Sequence, residues 1–415
     1  MKVFIDHLQK RGFLYQITNS LDELENFSSS NKIRGYIGFD CTAKSLHVGS
    51  LIQIMMLRWL QKFGHQPIIL LGGGTTKVGD PSGRDEARKI ICYRDIEKNK
   101  CSIKKIFSRF LSFQGSNKAI ILDNDAWLKD LNYLEILRDF GSYFSINKMI
   151  NLESVKSRLD RKQSLSFLEF NYMILQAFDF YYLHANMECS LQMGGSDQWG
   201  NIVSGIELIR KKTGHKVYGL TSPLLTTSSG SKMGKTVSGA IWLNEDLLSP
   251  YEYWQFWRNT EDSDVPKFLK LFTELPLDEI DYLSSLTGKE INRAKIILAD
   301  EATKMCHGSN AALRAKNTSS DTFAANSIGE DLPKYTITLE KVNNKIPLFK
   351  LIVMGHLAQS NSNARRLIAG GAAKINNHVI SDVNRLIQNS DFKKNILKIS
   401  IGKKKHIIFQ LESEA

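Results

Sequence analysis

The apolar positions in the first half of the chain form short continuous runs around one longer run. Residues 34–40 predict a short strand that ends in a turn, and residues 51–60 are apolar almost all round, as in a buried helix. Residues 67–71 form the continuous apolar run typical of a parallel strand, and residues 119–122 form another. We therefore predict a doubly wound, Rossmann-like α/β domain with a parallel sheet over residues 1–225, whose ligands bind beyond the carboxyl ends of the strands.

The pattern changes after Pro250, where amphipathic stretches of helix length replace the strands. We predict a mobile loop and connector over 226–247 and a helical domain over 248–315. Residues 316–335 are polar and rich in turn formers, so they predict a linker. A small α+β domain is expected at 336–415.

The composition is that of an ordinary globular protein, with 42% hydrophobic residues over 415 positions. We find neither a signal-peptide core nor an apolar run of about 18 residues, and we expect a cytoplasmic protein. The five cysteines are scattered and include no Cys-x-x-Cys pair. This spacing argues against a disulfide framework and against a thiolate zinc site.

The formal net charge of +12 is concentrated near the C-terminus. Between Pro333 and Leu411, 14 Lys and Arg residues accompany only three acidic residues. A basic cluster in one terminal segment is typical of a site for a polyanion, most simply a nucleic acid. On charge alone, a solvated face that keeps the protein in solution explains the cluster equally well.

A first group of residues that suggests chemistry lies at 38–50, where the first predicted strand turns into the predicted helix. Free backbone N–H groups and the helix dipole attract phosphate there, and Gly49 lets a flat base approach the backbone. His47 can donate a hydrogen bond to developing phosphate charge. An isolated His-x-Gly is more often structural, with the histidine satisfying the loop and the glycine making a packing contact.

A second group is the glycine-flanked loop at 231–236, which carries Lys232 and Lys235. A mobile loop of this kind can bring two ammonium groups onto a triphosphate. Taken alone, such a loop is usually just exposed to solvent. Residues 74–79 superficially resemble a P-loop, but Asp80 stands where that motif requires a lysine, so we reject the P-loop interpretation.

A third group lies on the predicted helix 170–180, where Tyr172, Gln176 and Asp179 share one stripe of an otherwise largely apolar helix. Burying such polar groups without partners costs on the order of several kcal/mol. They either pair inside the protein or line a polar cavity, and the helix alone does not decide between these alternatives.

Together these groups resemble the tyrosyl-tRNA synthetase family of the class I aminoacyl-tRNA synthetases. The resemblance is carried by five ordered motifs: His47-Val48-Gly49-Ser50, Gly79-Asp80-Pro81-Ser82-Gly83, the helix from Tyr172 to Asp179, Gly194-Gly195-Ser196-Asp197-Gln198-Trp199-Gly200-Asn201, and Lys232-Met233-Gly234-Lys235-Thr236. The last ~70 residues are similar to a ribosomal-type RNA-binding module, in which a helix with adjacent arginines precedes a glycine-rich turn and a strand. This similarity favours RNA as the polyanion.

The resemblance implies a role for each matching position. The residues around the tyrosine would be Tyr36, Asp80, Tyr172, Gln176, Asp179 and Gln198. Those along the ATP would be Asp40, Gly49, Ser50, Gly195, Asp197 and Lys235. Those that stabilise the γ-phosphate during the reaction would be Thr42, His47, Arg84, Arg88, Lys232 and Lys235. The RNA contacts would include Arg365, Arg366 and Lys374.

The reaction implied by the resemblance has two steps. The tyrosine carboxylate attacks the α-phosphorus of ATP and expels pyrophosphate, and the tyrosyl group then passes to the 3′ end of tRNA(Tyr). In such chemistry the protein positions the reactants and stabilises charge, and no residue acts as a nucleophile. We expect Mg²⁺ to arrive with ATP, with no protein-held metal or prosthetic group. The resemblance also implies a homodimer that does not associate with membranes.

Three positions depart from the pattern of the family. Ser50 stands where many members carry a second histidine, Gly234 where serine is common, and Cys41 where proline is frequent. Because a serine can still hydrogen-bond a ribose, we expect activity with an altered affinity for ATP.

Two alternatives compete with this interpretation. A tryptophanyl-tRNA synthetase would share the fold and the nucleotide motifs, but Tyr36 with Asp179 favours a phenol, and the basic tail also argues against it. An RNA-binding paralogue without catalysis is the alternative from another class. It has no need of His47, Lys232 or Lys235, and so is disfavoured as the sole function, although a secondary RNA role stays open.

Overall fold

The computed structural model describes residues 4–82, 91–228, 230, 233–236, 239–323, 332–402 and 405–412, with 235–236 and 321–323 described by their backbone alone. The chain divides into two compact units. The first unit comprises Met1–Gly234, Trp242–Asn244 and Glu261–Ala294. The second unit comprises Lys235–Ile241, Glu245–Thr260 and Lys295–Ala415.

A six-stranded sheet organises the first unit. Its strands are β1 (Gln16–Ile17), β2 (Arg34–Asp40), β3 (Gln66–Gly72), β4 (Ile120–Asp123), β5 (Leu191–Gly195) and β6 (Tyr218–Ser222). Their order across the sheet is β1-β6-β5-β2-β3-β4, and all neighbours are parallel except β1, which is antiparallel to β6. The chain runs outward from β2 to β4 and then returns to the other side of β2, which confirms the predicted doubly wound sheet.

The helices follow the apolar patterns of the sequence. In chain order they are α1 (Phe4–Arg11), α2 (Leu21–Ser30), α3 (Leu51–Lys62), α4 (Tyr93–Phe110), α5 (Asp125–Leu128), α6 (Tyr133–Asp139), α7 (Ile146–Ile150), α8 (Glu153–Asp160), α9 (Phe167–Met187), α10 (Trp199–Thr213), α11 (Pro250–Arg258), α12 (Val265–Phe272), α13 (Leu277–Ser284), α14 (Ile291–His307), α15 (Ser309–Phe323), α16 (Leu339–Asn343), α17 (Leu348–Met354) and α18 (Asn361–Ala369). Helix α3 buries Leu51, Ile54 and Leu57, among others, which explains why its sequence is apolar on nearly every side.

The carboxyl ends of the parallel strands define one edge of the first unit. Strands β2, β3, β4 and β5 end there at Asp40, Gly72, Asp123 and Gly195. The return of the chain from one side of β2 to the other makes this edge the expected ligand site of a doubly wound sheet.

Part of the predicted linker 316–335 is helical, because α15 continues to Phe323. Gln255 on α11 donates a hydrogen bond to Ser319 Oγ at 3.0 Å, and Lys316 pairs with Asp300 at 2.6 Å. Tertiary packing therefore overrides the turn-forming composition of this stretch.

The helical segment predicted at 248–315 is divided between the two units. Residues 261–294, which include α12 and α13, group with the first unit, whereas α11, α15 and most of α14 belong to the second.

A five-stranded sheet forms the C-terminal part of the second unit. Its strands are β9 (Lys334–Ile337), β10 (Ala373–Ile375), β11 (His378–Ile380), β12 (Ile396–Ile401) and β13 (Lys405–Leu411), after the short pair β7 (Lys235–Thr236) and β8 (Gly239–Ala240). The order is β11-β10-β12-β13-β9, and α17 and α18 bury apolar side chains against one face. The predicted α+β domain is thereby confirmed. No helix in the described residues is long and apolar enough to cross a membrane.

Candidate active site

Helix α9 carries the polar stripe and is fixed at both ends. At its start, Ser166 and Glu169 form a reciprocal capping box, and Arg158 pairs with the buried Glu169 at 3.0 Å. At its end, Glu188 adopts a left-handed conformation and donates its backbone N–H to His184. These contacts define where the helix begins and ends, and the Arg158–Glu169 pair also ties its first turn to α8.

Asp179 is buried and bonded by two donors. Asn124 Nδ2 donates to one carboxylate oxygen at 2.8 Å, and Trp127 Nε1 donates to the other at 2.7 Å. Burial nevertheless raises the pKa of this carboxyl to about 7, because two donors only partly replace the water that the charged form loses.

Tyr36 lies on β2, and its buried hydroxyl has no hydrogen-bond partner in the part of the chain that the structure describes. Burial raises the pKa of this phenol well above its ordinary value, and the nearby Asp179 carboxylate adds to the shift. Gln192, which faces Tyr36 in the register of β2 and β5, also has a buried oxygen without a partner. Buried polar atoms are nearly always paired, so the Tyr36 hydroxyl can complete its hydrogen bonding with a polar group of a ligand.

Asp40, at the end of β2, is joined to Asp179 through a chain of side chains. Tyr172 donates its hydroxyl to Asp40 Oδ2 at 3.2 Å, and Thr75 Oγ1 donates to Asp40 Oδ1 at 2.9 Å. Asn124 Nδ2 is 3.1 Å from Thr75 Oγ1 and also bonds Asp179. One network, buried at Asn124 and Asp179 and partly buried at Asp40, thus connects two separate parts of the edge.

A second network joins the remaining polar positions. Gln198 Nε2 donates to Asp80 Oδ2 at 2.8 Å and to Asp197 Oδ2 at 3.2 Å. Asn201 Nδ2 donates to Gln176 Oε1 at 2.9 Å and to Gln198 Oε1 at 3.2 Å. This network brings the Gly-Asp-Pro-Ser-Gly motif, the α9 stripe and the start of α10 together.

The His-x-Gly turn lies against Met233 and Gly234. His47 Nδ1 accepts the backbone N–H of Gly49 at 2.9 Å, and a Cβ on Gly49 would lie 3.1 Å from the Met233 carbonyl. Gly234 has φ +101°, and a Cβ there would lie 2.7 Å from His47 Nδ1. Only glycine fits this approach without strain. Ser50 begins α3 without a side-chain capping bond.

The structure brings most of the predicted positions to this edge. All three residues of the α9 stripe are hydrogen-bonded to other side chains of the protein, as the alternative of internal pairing predicts. The Tyr36 hydroxyl, by contrast, has no such bond among the described residues. Thr42 is half-buried in the loop after β2. Lys235 is described only as a backbone position of β7, and the predicted residues that lie outside the described part of the chain are Arg84, Arg88 and Lys232.

Three residues that build the site were not predicted from the sequence: Thr75, Asn124 and Trp127. The contact of Asn201 with Gln176 was not predicted either. The signal for two of them was present, since Asn124 and Trp127 follow a predicted strand directly, and side chains after such strands converge at one edge. Among the described residues, no group of three or more His, Cys, Asp or Glu is placed to hold a metal ion.

The predicted RNA-contacting residues lie in the C-terminal domain. Arg365 and Arg366 are exposed on α18, and the Arg365 guanidinium lies 4.2 Å from the centre of the Phe349 ring. Lys374 is half-buried on β10, between the inward-facing Ala373 and Ile375, so it belongs to the other face of the sheet. The helix, the glycine turn and the strand are where the sequence predicts them.

The chain is similar to known proteins over nearly its whole length. Residues 28–324 match the family of class I tRNA synthetases for tryptophan and tyrosine, and residues 325–409 match the SYY-like C-terminal domain of tyrosine–tRNA ligases. Tyrosine–tRNA ligases of Rickettsia felis and Ruegeria pomeroyi are 53% and 55% identical, covering 98% of this chain and 100% and 98% of theirs. The truncated mitochondrial tyrosyl-tRNA synthetase of Aspergillus nidulans superposes with a TM-score of 0.71 at 32% identity, covering 78% of this chain and 95% of that chain. The chain therefore belongs to the tyrosine–tRNA ligase family of class I aminoacyl-tRNA synthetases.

Proposed function

We propose that this protein activates L-tyrosine with ATP to tyrosyl-adenylate and pyrophosphate, and then transfers the tyrosyl group to the 3′ end of tRNA(Tyr). The observation that carries the proposal is the Tyr36 hydroxyl, which is buried and has no hydrogen-bond partner among the described residues, and whose pKa is raised first by burial and then by the buried Asp179 carboxylate. A site that bonds a substrate hydroxyl rejects an analogue without it, because its own polar groups then stay unpaired.

The tyrosine contacts are assigned to two ends of the pocket. Tyr36 and Asp179 hydrogen-bond the phenol of the substrate. The ammonium group lies among Asp80, Tyr172 and Gln176, with Gln198 beside them, and this assignment is supported by the side-chain bonds that already connect Asp80 to Gln198 and Tyr172 to Asp40. A carboxylate near a cation favours the charged form of both groups.

ATP occupies the other side of the edge in this proposal. Asp40, Gly195, Asp197 and Lys235 line the adenylate, with Gly49 and Ser50 at the nucleoside. Gly195 ends β5 and precedes Asp197, which accepts a hydrogen bond from Gln198 at 3.2 Å. Mg²⁺ enters as part of the Mg–ATP substrate.

Adenylate formation is a displacement at phosphorus. The tyrosine carboxylate oxygen bonds the α-phosphorus in line as the bond to pyrophosphate breaks, so negative charge accumulates on the leaving group. The groups that stabilise this charge by hydrogen bonds and electrostatics, without accepting a covalent bond, are Thr42, His47, Arg84, Arg88, Lys232 and Lys235. In the second step a ribose hydroxyl of the terminal adenosine attacks the tyrosyl carbonyl carbon and AMP leaves.

The remaining segments have distinct roles in the proposal. Residues 1–225 are the catalytic domain, 226–247 the loop and connector, and 248–315 a helical domain on the anticodon side of the tRNA. The C-terminal domain binds RNA through Arg365, Arg366 and Lys374, supported by the exposure of both arginines.

We also propose a cytoplasmic homodimer. Eight exposed large apolar side chains lie between residues 133 and 168, about half of those exposed in the described residues, and this concentration suits a contact between subunits. They are Tyr133, Leu134, Leu137, Ile146, Ile150, Leu159, Phe167 and Leu168. All five cysteines are free, which suits a reducing cytoplasm.

The test is amino-acid-dependent exchange of pyrophosphate into ATP by the purified full-length protein without tRNA. We expect exchange with tyrosine and none with tryptophan or phenylalanine. Exchange driven by tryptophan would overturn the amino-acid assignment but keep the reaction class. A protein that exchanges with none of the three would instead support an RNA-binding paralogue without catalysis.

A further inference from the structure

The backbone of Cys41, in the turn after β2, is held by hydrogen bonds from two sides. The backbone N–H of Cys41 donates to Thr76 Oγ1 at 2.8 Å, and Asn99 Nδ2 donates to the Cys41 carbonyl at 2.9 Å. All three residues are buried. Both polar groups of the Cys41 backbone are therefore satisfied by side chains from other elements, and neither is satisfied within the turn.

The two supporting residues lie in regular secondary structure. Thr76 lies in a single 3-10 turn that follows β3, and Asn99 lies inside α4. Three residues further along α4, Ser102 Oγ accepts from Asn244 Nδ2 at 2.8 Å, and the backbone N–H of Asn244 donates to Ser45 Oγ at 3.1 Å. Helix α4 thus holds the turn directly at Cys41 and, through Asn244, at Ser45.

The position of Cys41 makes this support consequential. It lies between Asp40 and Thr42, so a rotation of the peptides on either side of it would displace both neighbours. Proline, which is frequent here in the family, would fix φ and remove the N–H. Cysteine leaves φ free and adds a buried N–H that needs an acceptor, and Thr76 supplies that acceptor.

We propose that Thr76 and Asn99 are positioning residues for adenylate formation, which act by fixing the Cys41 backbone and thereby the placement of Asp40 and Thr42 against ATP. This inference rests on the roles proposed above for Asp40 and Thr42. Neither Thr76 nor Asn99 touches substrate in this assignment.

The thiol of Cys41 has no part in the device. Its Sγ is 3.7 Å from the Phe39 carbonyl, and burial raises the pKa of the thiol to about 12, so it stays neutral. Cys41→Ala keeps the backbone N–H and is expected to exchange pyrophosphate at a rate within about twofold of wild type, because only the backbone is used.

Thr76→Val removes the acceptor and leaves the shape of the side chain nearly unchanged. We expect kcat/KM for ATP in tyrosine-dependent pyrophosphate exchange to fall about 10- to 100-fold, because a buried N–H is left unpaired and the turn shifts to satisfy it. The KM for tyrosine should stay within about twofold of wild type. Thr76→Ser, which keeps the acceptor, should recover most of the loss.

Thr18→Val is the matched control, because Thr18 Oγ1 accepts the backbone N–H of Gly219 at 3.0 Å at the β1 edge of the sheet. It removes the same kind of bond and should lower thermal stability without changing kcat/KM for ATP. If Thr76→Val likewise lowers thermal stability but leaves kcat/KM for ATP unchanged, Thr76 has only a structural role and the inference is overturned. The wild type would still exchange with tyrosine in that case, so the proposed function would stand.

A double-mutant cycle tests whether Thr76 acts through the Cys41 N–H. In a Cys41→Pro background the donor is absent, so adding Thr76→Val should cost less than about twofold. Equal losses in the two backgrounds would contradict the inference. If Cys41→Pro itself abolishes exchange, the comparison of Thr76→Val with Thr76→Ser decides the question.

Discussion

Asn124, which directly follows β4, donates its side-chain N–H to the carboxylate of Asp179 in α9 at 2.8 Å. The same amide group lies 3.1 Å from Thr75 Oγ1, and its oxygen accepts the backbone N–H of Gly74 at 2.8 Å. These bonds orient the Asp179 carboxylate in the ligand-free protein. Such preorganisation lowers the cost of ordering the site on binding.

Removing the Tyr36 hydroxyl should separate binding from stability. In Tyr36→Phe, the KM for tyrosine should rise about 2- to 10-fold, because one hydrogen bond to the substrate is lost. The thermal midpoint of the free protein should stay the same or rise, since a buried hydroxyl without a partner disappears. Tyr218→Phe, which removes a bonded hydroxyl at Glu23, should lower stability and leave KM unchanged. A loss of stability in Tyr36→Phe would contradict this account of the pocket.

Restoring the serine that is common at position 234 should impair this protein. Gly234→Ser places a Cβ 2.7 Å from His47 Nδ1 on a backbone with φ +101°. Gly230→Ser is the control, because Gly230 also has positive φ but its Cβ meets no atom of the described residues within 4 Å. Stopped-flow measurement of adenylate formation should show Gly234→Ser at least about tenfold slower than Gly230→Ser, because only the former displaces the His47 turn as well as straining the backbone by about 1–2 kcal/mol. Equal rates would show that the close approach to His47 is unimportant.

Tyrosine binding should release a proton near neutral pH. The free Asp179 carboxyl has a pKa of about 7, raised by burial from an ordinary value of 3.8. A phenol that donates to the carboxylate stabilises the charged form and lowers this pKa, so binding expels the proton. Calorimetric titration in buffers with different ionisation enthalpies should detect this release at pH ~6.5.

The same titration at pH ~8 is the internal control, because Asp179 is then already ionised in the free protein and the release should shrink towards zero. Equal proton release at both pH values would assign it to another group. The sign for folding follows from the same shift. The folded state binds more protons than the unfolded state between pH ~4 and ~7, so this group stabilises the protein at low pH and its contribution is lost as pH rises through ~7.

A charge in the exposed apolar stretch should disturb the proposed dimer. Phe167 is 69% exposed, and Phe167→Glu should shift the protein towards monomer in sedimentation equilibrium, because a buried carboxylate without a partner opposes association. Tyr282→Glu alters a side chain that is 53% exposed outside this stretch and should leave the association constant unchanged. Monomer formation by both variants, or by neither, would count against the assigned interface.

Loss of one arginine on α18 should weaken tRNA binding without affecting adenylate formation. Arg366→Ala should reduce the affinity for tRNA. It should also make the slope of log K against log salt concentration less steep by roughly 1, because one phosphate contact is lost. Pyrophosphate exchange should not change. Lys289→Ala, an exposed lysine outside the C-terminal domain, serves as the control for a general loss of charge. An unchanged salt slope in Arg366→Ala would remove this residue from the RNA surface.

The sequence predicted the elements whose apolar pattern is strong. The continuous run of β3 and the apolar α3 have one physical solution, burial on both sides, and the structure contains them within two residues of the predicted limits. The stretch after residue 315 could not be predicted from local composition, because Ser319 and Lys316 are held in a helix by partners in α11 and α14.

The substrate-facing side of the site was predictable only as far as the motifs reach. Tyr172, Gln176 and Asp179 appear in the sequence as polar interruptions of an apolar helix, so they attract attention on their own. Asn124 and Thr76 are ordinary polar residues after strands, and their importance comes from partners more than 30 residues away in the chain. Such long-range pairs have no local signature.

Helix α9 presents its three polar side chains from one continuous element that is capped at Ser166 and turned at Glu188. In the proposed site, recognition of the amino acid therefore depends on the rotation of this one helix about its axis, together with Tyr36 on β2. Inserting one residue within this helix would rotate every later side chain by about 100° about the helix axis and abolish the proposed recognition in one event.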